Sequence, residues 1–109
     1  IAIMEIGGRM GGDFIGSDLV RLSTGYDFVK GVIEVALGEF SEPVKTLNMC
    51  SGVYFLCKET EHLKETIENW KDNTSFVKGE ITGTELREVT CSADRSGYVI
   101  YQCKNKIRI

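Results

Sequence analysis

Apolar and polar positions change period several times along this chain of 109 residues, and each change marks an element. Ile1-Ala-Ile-Met-Glu-Ile6 is short and almost wholly apolar, the pattern of a buried strand. Gly7-Gly-Arg-Met-Gly-Gly-Asp13 follows as a loop. Residues 14–23 read as a short helix with Phe14, Ile15, Leu19 and Leu22 on its apolar side. Thr24-Gly-Tyr-Asp27 has the spacing of a capping box, the threonine oxygen accepting from a free amide at a helix start. That helix runs to about Leu37 and stops at Gly38, where a left-handed residue is easiest for glycine. Phe28, Val29, Val32, Ile33, Val35, Ala36 and Leu37 make it apolar nearly all round, as in a helix buried inside a larger protein.

Beyond residue 41 the pattern is α+β. Residues 53–57 predict a strand. A helix starts at Thr60 or Glu61 and ends near Asp72-Asn73, with Leu63, Ile67 and Trp70 along one face. Residues 75–78, 85–91 and 98–103 predict three further strands, the last two paired antiparallel through a turn at Asp94-Arg-Ser-Gly97. Residues 104–109 form a short basic end. The one proline, Pro43, sits in the polar stretch Glu39-Phe-Ser-Glu-Pro43, which reads as a joint. Glycines concentrate before it and the net charge of −3 falls entirely within residues 1–40, so the chain divides into residues 1–40 and residues 41–109.

The composition, 42% hydrophobic and 27% charged, is that of a globular protein, and the net charge of −3 argues against a dedicated nucleic-acid binder. No apolar run reaches the roughly 18–20 residues of a membrane span. A start at Ile1 with no signal peptide suggests a piece of a larger cytoplasmic protein. Cys50, Cys57, Cys91 and Cys103 contain no Cys-x-x-Cys pair, and His62 is the only histidine, so neither a zinc site nor a disulfide framework is expected.

A glycine-rich loop between strand and helix suggests a phosphate cradle, yet Gly7, Gly8, Gly11, Gly12 and Gly16 match neither the dinucleotide fingerprint nor the Walker loop. What remains is Glu5 near the end of a buried strand, on the same face as Ile1 and Ile3, with Arg9 four residues on. A carboxylate in that setting is costly unless a cation meets it. Glu5 as a magnesium ligand, with Arg9 holding a phosphoryl group or carboxylate in its planar fork, is one reading. A plain Glu5–Arg9 pair at a strand end is the other.

Glu5-Ile-Gly-Gly-Arg9, Met-Gly-Gly-Asp13, Leu22-Ser-Thr-Gly-Tyr-Asp27 and the apolar helix to Gly38 together resemble the last stretch of the ATP-grasp ligases. In that superfamily a strand ends in Glu-x-Asn-x-Arg and a Ser/Thr-Gly-x-Asp helix start follows. Residues 41–109 resemble more loosely the small C-terminal lobe of the biotin-carboxylase-like members, Ser96-Gly-Tyr-Val-Ile100 matching a strand near its end. The resemblance implies the final strand–loop–helix of an ATP-grasp domain followed by a small antiparallel-sheet lobe with one helix. It also implies a ligase that uses ATP and magnesium to activate a small-molecule carboxylate as an acyl phosphate and then joins it to an amine. By position Glu5 would bind metal and nucleotide, and Arg9 would be the catalytic contact to the transferring phosphate. The family's asparagine is Gly7 here. Asp13 is a candidate contact to the substrate amine, and equally a candidate N-cap for the helix at Phe14. The remaining ATP-site residues would come from upstream lobes, leaving these 109 residues inactive alone and prone to self-association through the first strand or the apolar helix. A non-catalytic assembly or binding module, with His62 and Trp70 at an interface, is the alternative.

Overall fold

The computed structural model describes residue 2 and residues 11–109. The strand expected over residues 1–6, with Glu5, and the loop position of Arg9 lie outside the described residues.

The described chain opens with a wide helical turn, Ile15–Leu19, in which the Leu19 amide donates to the Phe14 carbonyl five residues back at 2.9 Å. The turn tightens into α1, Val20–Thr24, which ends at Gly25. α2, Phe28–Leu37, follows. Its cap is Asp27, whose carboxylate accepts from the Lys30 amide at 3.0 Å, and this corrects the capping box expected at Thr24. The reason is local. Thr24 is still inside α1: its hydroxyl donates to the Val20 carbonyl at 2.7 Å and accepts from the Tyr26 amide at 3.1 Å, whereas the free amides of α2 begin only at Phe28, after Asp27. The end of α2 is as the sequence predicts: Gly38 takes φ of 76°, and its N–H closes on the last carbonyls of the helix.

Three strands, β1 (Cys50–Leu56), β2 (Phe76–Ile81) and β3 (Gly97–Cys103), form one sheet in the order β1-β3-β2. β3 is antiparallel to both neighbours, so β1 and β2 run parallel with the last strand inserted between them. The crossover from β1 to β2 is helical but broken: a 3-10 stretch Lys58–Leu63, α3 (Lys64–Glu68) and a 3-10 turn Trp70–Asp72. Thr60 and Asn69 leave helical geometry, which divides the single helix expected there. The predicted apolar face survives the breaks, since Leu63 and Ile67 are buried with Leu56, Phe76, Val99 and Tyr101, and Trp70 packs against them.

The strand expected at residues 85–91 is not present, nor is its hairpin with β3. Both edges of β3 are taken by β1 and β2, so no hydrogen-bonding side is left for a fourth strand. Residues 82–96 instead make an excursion tied down at Ser96, which is 5% exposed. Its N–H donates to the Leu56 carbonyl at 2.8 Å, its carbonyl accepts from Thr82 and Gly83, and its hydroxyl donates to the Glu85 carbonyl. The overall class is therefore α+β, with a small antiparallel sheet.

The second face of the sheet is covered by the N-terminal segment. Ser51 donates to the Leu19 carbonyl at 2.8 Å, Gln102 to the Leu22 carbonyl at 2.6 Å, and the Met49 amide to the Ser23 carbonyl at 3.1 Å. α2 stands further off. The radius of gyration is 15.9 Å, against about 13 Å for a compact domain of this length. No helix among the described residues is long and apolar enough to cross a membrane.

Candidate functional site

Of the three residues singled out by sequence, Asp13 is described, and the structure gives it a partner 82 positions away. Its carboxylate accepts from the Arg95 guanidinium at 2.5 Å, with the arginine side chain 23% exposed and the aspartate 45% exposed. Asp13 makes no capping bond to the helical turn that follows, which corrects the N-cap reading. The backbone explains this. Asp13 and Phe14 both sit in the left-handed region, at φ of 53° and 64°, and the double reversal turns the carboxylate back toward the sheet.

The side chains around that pair form a layered cluster. Arg95 lies 3.9 Å above the centre of the Phe55 ring. The Phe14 ring sits 4.5 Å from Tyr98 and 6.3 Å from Phe55, and the Lys78 ammonium lies 5.5 Å from the Phe14 centroid. Tyr98 donates to Glu80 at 3.1 Å. Phe55, Tyr98 and Lys78 come from three different strands and share the sheet face that Phe14 covers. Nothing in the spacing of the sequence links Asp13 to Arg95; the packing of the N-terminal segment on the sheet brings them together.

Beside Arg95 a polar depression of about 450 Å³ is lined by Thr82, Thr84, Arg87, Asp94 and Ser96. Arg87 faces Glu85 at 3.3 Å. One Asp94 oxygen accepts from the Thr90 hydroxyl at 2.7 Å and from the Thr90 and Cys91 amides at 2.9 Å each. The hydrogen bond from the Thr90 hydroxyl, then those from the two amides, hold the Asp94 carboxyl well below the usual carboxylate range. Asp94 is thus a fixed anion that shapes its turn and has no proton to give near neutrality. Both arginines that line the depression are already paired, Arg95 with Asp13 and Arg87 with Glu85.

An apolar depression of about 290 Å³ lies on α2, lined by Tyr26, Phe28, Val32, Val35, Phe40 and Pro43. It exists because the Tyr26 phenol lies across Gly31 so closely that no Cβ would fit. Among the described residues no three His, Cys, Asp or Glu side chains gather to hold a metal ion. His62 is exposed, and Trp70 is half-buried with its ring over Gly79. The four cysteines are free: Cys57 buried, Cys50 and Cys103 half-buried, Cys91 exposed. No family model, no curated protein and no solved structure matches this chain.

Proposed function

We propose that this chain is the C-terminal part of an ATP-dependent ligase that activates a carboxylate as an acyl phosphate and joins it to an amine. The observation that carries the reading is the order of spaced elements from Glu5-Ile-Gly-Gly-Arg9 through Thr24-Gly-Tyr-Asp27 to Gly38. The capped helix α2, opened by Asp27 and closed by Gly38, is compatible with the second half of that order. On this reading magnesium and ATP would be held by Glu5, by Arg9 and by upstream lobes of the complete enzyme. Asp13, four residues after Arg9 in sequence, is held at the sheet by its pair with Arg95. An amine substrate reaching Asp13 would have to displace the Arg95 guanidinium from the same carboxylate.

The test is turnover of the complete enzyme, followed as ADP release. Glu5→Gln is isosteric and removes one charge; it is expected to lower turnover at least ~10²-fold, the scale of a positioned electrostatic group. Near-normal turnover of a folded variant refutes the metal role. One observation favours the second reading, an assembly module: Val32, Ile33, Val35 and Leu37 on α2 are all exposed, Leu37 at 67%. Magnesium-ATP titration of the complete protein separates the two readings, since only the ligase binds nucleotide.

A further inference from the structure

Strand pairing sets two cysteines directly opposite each other. Cys50 opens β1, Cys103 closes β3, and they are partners in the antiparallel register. Directly opposed residues of such a pair put their side chains on the same face of the sheet. The Gln102 amide donates to the Ser75 carbonyl, on the β2 side, so the polar groups of Cys103 face β1. Cys50 and Cys103 therefore occupy a hydrogen-bonded rung, for which Cα atoms lie about 5.5 Å apart, inside the span of a disulfide. Their Cβ atoms, also about 5.5 Å apart on such a rung, must close by roughly 1 Å or more for a bond to form. A bridge with that built-in strain is of the readily reduced kind.

The two thiols differ in access. Cys50 lines an open depression of about 520 Å³ at the β1 edge, together with Ser51, Tyr101 and Lys106. The Cys103 thiol donates to the Asn105 carbonyl within its own turn. Cys57 is buried, with its sulfur against the Thr60 hydroxyl at 3.2 Å, and Cys91 lies on the excursion at residues 82–96.

We propose that Cys50 and Cys103 form a reversible dithiol–disulfide site whose oxidant is hydrogen peroxide. The Cys50 sulfur attacks one peroxide oxygen, the O–O bond breaks, and water leaves as Cys50 becomes a sulfenic acid. The Cys103 sulfur then attacks the Cys50 sulfur, the S–S bond forms, the S–O bond breaks, and the hydroxyl departs as a second water with the Cys103 proton. The two sulfurs together lose two electrons and the peroxide gains them. Cys103 must give up its bond to the Asn105 carbonyl before the bridge closes. The site is independent of the ligase reading, since both reacting sulfurs belong to strands of the sheet and neither Glu5, Arg9 nor Asp13 takes part.

The test uses the whole chain, reduced, freed of reductant and treated with hydrogen peroxide. Thiols titrated in denaturant should fall from four by two, and a proteolytic map without reduction should contain one linked pair joining Cys50 to Cys103. Dithiothreitol should restore all four. Cys50→Ser should abolish the linked pair, and Cys91→Ser, at an exposed position, should leave it intact. Retention of four thiols, a link through Cys57 or Cys91, or a link between two chains overturns the proposal.

Discussion

Phe14 offers a sign test of the way the N-terminal segment is held. Its ring is half-buried against Tyr98 and Phe55 beneath Lys78, while its backbone sits at φ of 64°. Removing a fully buried phenylalanine costs about 3–5 kcal/mol, so a half-buried ring is worth about 2 kcal/mol, which Phe14→Ala should lose. Alanine keeps a Cβ and so keeps the left-handed strain, about 1–2 kcal/mol. Phe14→Gly loses the same ring but relieves that strain, while adding about 0.5–1 kcal/mol of unfolded-chain entropy. The balance makes the glycine variant more stable than the alanine variant by about 0.5–1 kcal/mol, the reverse of the order in a regular helix or strand. Urea unfolding of the three proteins measures it, as midpoints at matched slope. The expected order is Phe14 highest, then Phe14→Gly, then Phe14→Ala. A midpoint for Phe14→Gly at or below that of Phe14→Ala refutes the argument, because the left-handed backbone would then carry no strain to relieve.

Asp94 gives a pH dependence of definite sign. Its folded-state affinity for protons is lowered by the Thr90 and Cys91 hydrogen bonds, so its contribution is fully present above the unfolded value of about 3.9 and drains away as pH falls below it. Asp94→Asn should therefore destabilise at pH 7 and make less difference at pH 3; an equal effect at both, by thermal melting, would contradict this. The exposed apolar face of α2 predicts self-association of the chain at micromolar concentration, with a second copy as the occupant. Light scattering should give a dimer that Val35→Asp, placed at an exposed position on that face, converts to a monomer. A monomeric parent chain that binds no hydrophobic dye would refute it.

Local signals were the legible ones. The stop at Gly38, the buried face carrying Leu63 and Ile67, and the strands around 53–57 and 98–103 follow from periodicity and from the one residue type that turns left-handed without penalty. Competition between neighbours was less legible. Thr24 and Asp27 are both good caps, and the choice fell to Asp27 because Thr24 is occupied by the helix before it. Residues 85–91 mix Leu86 and Val89 with charged side chains in a way that suits a strand, yet the sheet had no free edge beside β3. A warning was available in β3 itself. Gly97-Tyr-Val-Ile-Tyr101 is buried at every position, the mark of a central strand with neighbours on both sides. The contacts that build the candidate sites span long separations in sequence: Cys50 opposite Cys103 becomes visible only once that strand order is known, and Asp13 with Arg95 only once the N-terminal segment is placed on the sheet.

That order also dictates when the chain can fold as it is made. β1 and β2 leave the ribosome first, but in the finished sheet they are separated by the width of β3, so about 9.6 Å lies between them with no backbone to bridge it. Until residues 97–103 emerge, β1 and β2 have no hydrogen-bonding partner in the sheet, and Leu56, Ile67 and Phe76 have no floor to pack upon. From the completion of β2 until β3 emerges, two strands thus wait unpaired, and the core closes only when β3 enters between them. A nascent chain in that interval is a natural client for holding chaperones, and premature termination before β3 leaves the sheet unformed.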